Sequence, residues 1–195
     1  MLKNKKIGFA ITGSFCSMDE MLMVLQRLVN EACEVYVFAT EQILRNNNRF
    51  NQADELVKKI EDVAGRKLIV TVEEAEIFGP KIPLDAVMVF PCTSNTLAKL
   101  AYGINDNAVT MVCKSSLRNN AKIILGVFTN DALSNSGENI MKMLNRKNYF
   151  LVPMYQDDIV GKQFSMLSNE HKAVDTLYLA LENKQLMPMF EGEKK

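Results

Sequence analysis

The chain has 195 residues, of which 48% are hydrophobic and 24% are charged, an ordinary composition for one globular domain. Its 23 basic and 23 acidic side chains cancel, which disfavours a general nucleic-acid binder and a polybasic membrane surface. No apolar run reaches the length of a membrane span, and the short run after Lys6 lacks a signal-peptide cleavage site. We therefore expect a first core strand rather than a signal peptide, and one domain over residues 1–195 with residues 190–195 as a flexible tail.

Cysteine and histidine are sparse, which limits metal and nucleophile chemistry. The cysteines are far apart in the sequence: Cys16, Cys33, Cys92 and Cys113. This spacing gives no zinc-type pair, so we expect no metal site. The single histidine, His171, is the one residue on which a histidine-dependent nucleophile could be built. Thiols in predicted core strands indicate a reducing compartment.

Strands and helices alternate along the first half of the chain. The predicted elements are a strand over 6–11, a helix from Met18 to about Ala32 opened by a Ser17/Glu20 capping box, a strand over 34–39, a short helix over 41–45, a helix over 51–64 and a short strand over 68–72. Residues 85–90 then form a continuous apolar strand that is expected to be buried on both faces and to end at Pro91.

The second half continues the alternation. The predicted elements are a helix opening near Thr93, a helix over 108–117, a strand over 123–128, a helix over 134–145, a short strand over 149–152, an irregular polar stretch over 156–168, a closing helix over 170–186 and a charged tail over 191–195 that should fray. The whole pattern predicts a single-domain α/β fold: a three-layer αβα sandwich with a mostly parallel Rossmann-like or flavodoxin-like sheet.

Three polar turns each follow an apolar strand. They are Thr12-Gly13-Ser14, Thr93-Ser94-Asn95-Thr96 and Thr129-Asn130-Asp131. Because the carboxyl ends of parallel strands lie at one edge of a sheet, where such folds bind ligands, we expect the three turns to share that edge. One hydroxyl suffices to cap a helix, so four capping-type residues at 93–96 favour an anion site at the helix N-terminus. Without a Gly-x-Gly-x-x-Gly or Gly-Lys-Ser/Thr loop, the phosphate of a mononucleotide such as FMN is favoured.

These turns carry a family resemblance. Thr12-Gly13-Ser14, the run Pro91-Cys92-Thr93-Ser94-Asn95-Thr96 and Asn130-Asp131-Ala132-Leu133 resemble the FMN-binding flavoprotein superfamily, which includes cysteine decarboxylases and flavin prenyltransferases. Within it, segments 78–86, 126–133 and 152–158 resemble the family of dipicolinate synthase B subunits. The resemblance implies an oxidoreductase subunit that helps convert a dihydrodipicolinate-type dicarboxylate to dipicolinic acid, in the mother cell of a sporulating bacterium. It also implies FMN on this chain, NAD(P) on a partner A subunit, and a homo-oligomer.

The resemblance also assigns the cofactor-binding residues by position. Thr12, Gly13, Ser14 and Thr40 should meet the phosphate; Thr93, Ser94, Asn95 and Thr96 should line the phosphate and ribityl side; Thr129, Asn130 and Asp131 should lie near the flavin ring or the substrate. Three departures disfavour cysteine decarboxylation and flavin prenylation: no histidine precedes Pro91, a Pro-x-Met-Asn clamp is absent, and Thr129 stands where prenyltransferases carry arginine.

Two side chains are candidates for catalysis. Lys114, with Ser115 and Arg118, could hold substrate carboxylates, although a solvated helix face explains these residues equally well. Asp131 could act as a general base, although capping of the helix near Ser134 is slightly favoured. Two other functions remain open: a stand-alone FMN-dependent decarboxylase-like lyase, and a noncatalytic partner of the A subunit with a degenerate cofactor pocket.

Overall fold

A parallel five-stranded sheet forms the centre of the molecule. The computed structural model describes residues 2–14, 17–31, 33–45 and 53–193. The strands are β1 (Lys6–Ile11), β2 (Glu34–Ala39), β3 (Ala86–Cys92), β4 (Lys122–Thr129) and β5 (Tyr149–Leu151), in the spatial order β2-β1-β3-β4-β5. The strand order reverses between β1 and β3, so the crevice at their carboxyl ends is where a ligand is expected in this topology.

Helices cover both faces of the sheet, as predicted for a three-layer sandwich. They are α1 (Met18–Asn30), α2 (Gln42–Arg45), α3 (Ala53–Ala64), α4 (Val72–Glu76), α5 (Ser94–Tyr102), α6 (Ala108–Leu117), α7 (Gly137–Leu144) and α8 (Ala173–Leu181). One hydrophobic cluster joins the sheet to α1, α3 and α8, and a second joins it to α4, α5, α6 and α7. No helix in the described ranges is long and apolar enough to cross a bilayer.

The pleat of β1 shows how the sequence serves both clusters. Ile7, Phe9 and Ile11 belong to the first cluster, whereas Ala10 belongs to the second. Successive side chains of a strand point to opposite faces, so a central strand must be apolar throughout. That requirement explains why β1 and β3 were recognisable as continuous apolar runs.

Three short strands extend the sheet beyond β4. They are β6 (Met154–Gln156), β7 (Met166–Ser168) and β8 (Phe190–Glu193). β7 pairs antiparallel with the end of β4, β6 pairs antiparallel with β7, and β8 pairs parallel with β6. The prediction of an irregular stretch over 156–168 and a frayed tail from Glu191 was therefore wrong for β7 and for residues 191–193. Strands of three or four residues are too short to show a period-two pattern.

Several element boundaries also differ from the predictions. β3 continues through Pro91 to Cys92, with an irregular register against β4 after Val89, because proline has no N–H to donate. The strand predicted over 68–72 is a single bridge between Phe38 and Ile69. The predicted helix over 51–64 is present from Ala53, and its first two residues lie outside the described ranges, as does Ala32.

Helix ends account for the remaining differences. Ser17 precedes α1 but makes no side-chain capping bond within the described residues, and its hydroxyl lies 3.2 Å from that of Ser14. The amide of Ser136 bonds the carbonyl of Asp131, so residues 131–136 form turns and α7 begins only at Gly137. The closing helix ends at Leu181, shortly before Asn183 takes a left-handed φ of 61°.

Candidate functional site

A buried threonine joins the carboxyl ends of β1 and β3. Thr12, which is 1% exposed, donates its hydroxyl to the carbonyl of Pro91 at 2.8 Å. The same hydroxyl accepts the backbone N–H of Thr93 at 3.1 Å. These two bonds hold the first and second polar turns side by side at the point where the strand order reverses.

The helix that opens from this junction keeps its first amides uncapped. Thr93 is the N-cap of α5, yet within the described residues its side chain makes no capping bond. Its hydroxyl lies instead 3.3 Å from that of Thr12 and 3.4 Å from that of Thr96. The positive end of the α5 dipole and its uncapped N–H groups are therefore available to an anion.

A cavity of about 450 Å³ opens at this helix end. Three polar segments of the chain form its wall, at the ends of β1 and β2 and along α5 with the loop that follows it. The lining residues are Thr12, Gly13, Thr40, Glu41, Gln42, Thr93, Asn95, Thr96, Lys99, Asp106 and Asn107. The volume lies within the range of roughly 300–1,000 Å³ that small-molecule sites occupy.

Thr40 gives the clearest sign that this cavity accepts a ligand. Its residue is 6% exposed, and its Oγ1 is buried without a hydrogen-bond partner among the described residues. Its backbone N–H bonds the carbonyl of Ile11 at 3.1 Å, which fixes the end of β2 beside β1. A buried hydroxyl left unpaired costs about 1–3 kcal/mol, and an oxygen-rich ligand in the cavity would supply the missing partner. The residues present therefore fit the phosphate end of a mononucleotide.

The structure brings together most of the predicted cofactor-binding residues, but not all of them. Six line the cavity: Thr12, Gly13, Thr40, Thr93, Asn95 and Thr96. Ser14 and Ser94 are half-buried neighbours in the same two turns and do not line it. Their contact with a cofactor stays a prediction.

The third polar turn lies apart from this cavity. Asn130 lines a separate cavity of about 430 Å³ with residues 160–164 of the loop between β6 and β7. Thr129 is buried at the end of β4 and bonds the carboxylate of Asp131. The third turn shares the sheet edge with the other two, because β1, β3 and β4 run parallel, but it does not line the described cavity. β7 pairs with the end of β4 beside it, and contact of Thr129 and Asn130 with a cofactor stays a prediction.

Asp131 anchors a turn, and a catalytic role for it stays a prediction. Burial alone would raise the pKa of Asp131, but hydrogen bonds with Thr129, Ser136 and Asn135 outweigh burial and hold the pKa below its ordinary value. A base that is effective near neutral pH needs a raised pKa. The capping alternative is closer to the structure, although the contacts support the turn before α7 rather than a helix that begins at Ser134.

The Lys114 group does not assemble as one carboxylate-binding site. Ser115 is buried, and its hydroxyl lies 3.4 Å from the carbonyl of Ala75, on the side of α6 that packs on α4. Lys114 is exposed and lines a third cavity, of about 340 Å³, together with Arg146. Ser115 is therefore part of the packed face of α6 and is separated from the exposed Lys114 and Arg118. A role for Lys114 and Arg118 in binding carboxylates stays a prediction.

The thiol of Cys92, at the end of β3 directly before the second polar turn, is also unsuited to nucleophilic chemistry. Cys92 and Cys113 are fully buried and unpaired as disulfides. Burial raises the pKa of Cys92, and it raises the pKa of Cys113 to about 12. Both therefore remain protonated thiols that fill the core.

Sequence reasoning missed five residues of the cavity wall: Glu41, Gln42, Lys99, Asp106 and Asn107. Helical spacing could have revealed Lys99, which lies four residues after Asn95 and three after Thr96 on α5. No local pattern indicates Asp106, since the sequence around it predicts only a loop between two helices.

Comparison with known proteins fits this geometry. Residues 1–185 match the flavoprotein family. The chain belongs to that family. It is 40% identical over 188 residues to the B subunit of dipicolinate synthase from Bacillus subtilis (strain 168), covering 96% of this chain and 94% of the relative.

Two solved structures share its fold. The crystal structure of the dipicolinate synthase B subunit from Bacillus halodurans C matches with a TM-score of 0.91 at 32% identity, covering 99% of both chains. The FMN-dependent cysteine decarboxylase SpaF matches with a TM-score of 0.68 at 20% identity, covering 93% of this chain and 99% of that one. The second likeness concerns the fold alone.

Proposed function

We propose that this chain is the B component of a two-subunit dipicolinate synthase and that it binds FMN in the cavity between β1, β2 and α5. The observation that carries the cofactor assignment is the buried hydroxyl of Thr40 in the wall of that cavity, which has no hydrogen-bond partner among the described residues. Its position in the same wall as the uncapped end of α5 gives a phosphate both a hydroxyl donor and free amides. The similarity to the Bacillus subtilis protein supports the choice of reaction.

The residues of the cavity divide into those that hold the phosphate and those that keep the site in shape. The first-turn amides of α5 and the Thr40 hydroxyl would hold the phosphate. Thr12 does not need to contact the ligand, since the described bonds of its hydroxyl, with Pro91 and Thr93, keep β1 and the start of α5 together. Asn95 and Thr96, in the first turn of α5, line the wall where the ribityl chain would lie.

FMN would supply the capacity to accept a hydride at its ring. The proposed reaction is the dehydrogenation of a dihydropyridine-type dicarboxylate to dipicolinic acid, in the cytoplasm of the mother cell of a sporulating bacterium. The A subunit would carry NAD(P) and share the redox work, and this chain would form a homo-oligomer.

The visible absorbance spectrum of the purified protein tests the cofactor assignment. The spectrum is recorded for the protein as isolated, and again after FMN has been added and unbound ligand has been removed on a desalting column. We expect a retained flavin band with one FMN per chain. A protein that stays colourless after the addition would overturn FMN binding and would favour a noncatalytic partner with a degenerate pocket.

A reconstitution assay tests the reaction. The chain alone, a dipicolinate synthase A subunit alone and the mixture are each given the dihydro precursor and NAD(P), and dipicolinic acid is measured by its ultraviolet absorbance. We expect the full rate only from the mixture. An A subunit that reaches the same rate alone would contradict the proposal, and release of carbon dioxide by this chain alone would favour a stand-alone lyase.

A further inference from the structure

One cation lines the proposed cofactor cavity among the described residues. Lys99 lies on α5 four residues after Asn95 and three after Thr96, and all three line the wall. Residues at this spacing share one face of a helix, and four residues span about 6 Å along its axis. The long side chain of lysine points toward the N-terminus of its helix, so its ammonium group can reach the anion-binding end.

In the structure this ammonium group is held by a carboxylate of the same wall. Lys99 Nζ lies 2.9 Å and 2.7 Å from the two carboxylate oxygens of Asp106. The Lys99 hydrogen bond keeps the pKa of Asp106 below its ordinary value, so this carboxylate is ionised at neutral pH. The pair thus places an ammonium group in the wall of the cavity, where it could bind a phosphate, and Asp106 neutralises its charge.

Asp106 does not depend on Lys99 for its position. Its carboxylate also accepts a hydrogen bond from Asn107 Nδ2 at 3.0 Å. Asn107 in turn caps α6, because its Oδ1 accepts the amide of Thr110 at 3.1 Å. The carboxylate can therefore remain in place, facing solvent with its side chain 51% exposed, after the lysine leaves it.

Ion pairs this exposed contribute little to stability, so the lysine can change partner at small cost. A phosphate monoester with up to two negative charges, bound at a helix N-terminus, attracts an ammonium group more strongly than one solvated carboxylate does. The geometry points to Lys99 as the residue that selects a phosphorylated ligand, with Asp106 as the counter-ion that it exchanges for the phosphate. This inference rests on the proposed function, since it takes FMN as the ligand of the cavity.

Riboflavin and FMN differ only in the phosphate. Comparing their affinities therefore separates recognition of the phosphate by Lys99 from binding of the rest of the flavin. Dissociation constants for both are measured by quenching of flavin fluorescence in the wild type, Lys99→Met, Asp106→Asn and the double variant. We expect Lys99→Met to weaken FMN binding about tenfold and to leave riboflavin binding within about twofold. Asp106→Asn should strengthen FMN binding about threefold, because the phosphate no longer competes with the Asp106 carboxylate for Lys99. This gain should vanish in the double variant.

Two further variants control for charge and folding. Lys99→Arg keeps the charge and should retain most of the preference for FMN, whereas Lys59→Met, on the exposed face of α3, should behave like the wild type. If Lys99→Met weakens both flavins equally and lowers the melting temperature, the pair is structural and the inference is wrong. Tight FMN binding that no variant changes overturns this inference alone. A wild type that binds neither flavin overturns the proposed function as well.

Discussion

Two polar turns at the same edge of the sheet use their hydrogen-bonding groups in opposite ways. At the end of β4, Thr129 bonds Asp131, and the Oδ1 of Asn130 accepts the Ser165 hydroxyl at 3.4 Å. At the ends of β2 and β3, the hydroxyl of Thr40 has no hydrogen-bond partner among the described residues, and the first turn of α5 has no side-chain cap. The difference teaches that polar residues after a strand indicate a ligand site only where their donors are left unused.

The largest effect is expected from Thr12→Val, which breaks the hydrogen bonds between the end of β1 and the start of α5. The carbonyl of Pro91 and the amide of Thr93 would lose their described partner, and buried unpaired groups cost about 1–3 kcal/mol each. We expect a lower melting temperature and no FMN retained after desalting. Thr12→Ser, which keeps the hydroxyl, should retain FMN; equal losses in both variants would show that the methyl group, and not the bonds, matters.

Thr40→Val should separate binding from stability. A hydrogen bond to a charged group contributes about 1.5–3 kcal/mol, so FMN affinity should fall at least about tenfold. The melting temperature of the ligand-free protein should be unchanged or higher, because the variant removes an unpaired buried hydroxyl. The control is Thr176→Val in α8, whose hydroxyl bonds the carbonyl of Lys172 at 2.8 Å. This control should lower the melting temperature and leave FMN affinity unchanged.

Thr129→Val makes the matching change at the end of β4, where the polar side chains bond one another. We expect it to lower the free energy of unfolding by about 1 kcal/mol, since Asp131 loses a hydrogen bond. FMN affinity should stay within about twofold of the wild type, because Thr129 does not line the cavity. A tenfold loss of FMN affinity would contradict the comparison and return Thr129 to the cofactor-binding residues.

The smallest effect concerns pH. The pKa of Asp131 is lower in the folded state than its ordinary value of about 3.9, so its contribution to stability is present above about pH 4. That contribution is lost as the pH falls through the folded-state pKa. The difference in unfolding free energy between wild type and Asp131→Asn should therefore shrink between about pH 5 and pH 2. A difference that stays constant over this range would show that Asp131 acts through packing alone.

The fold was predictable because its central strands must be apolar on both faces. β1, β2 and α6 begin and end at the predicted residues. β7 and β8 were not predictable, since three- and four-residue strands form only when β4 and β6 are beside them. Propensity and periodicity carry no information about such distant partners.

The site was predictable as far as strand ends indicate it. Thr12 and Thr93 follow strands that turned out to be neighbours, so their turns meet. Thr129 follows a strand too, but β7 closes over its end, which the sequence pattern does not signal. Lys99 and Asp106 were missed because an ion pair between a helix and the following loop depends on where that loop folds back.

The position of α8 has a consequence for the order of events during synthesis. Ala173, Val174 and Leu177 belong to the same buried cluster as Met88, Phe90 and Ile124 of β3 and β4. When β3, β4 and β5 have emerged from the ribosome, α8, which covers this face of the sheet, has not yet been synthesised. The emerging chain must therefore carry a bare apolar surface until α8 arrives, and that interval is when it is most exposed to aggregation or in need of a chaperone.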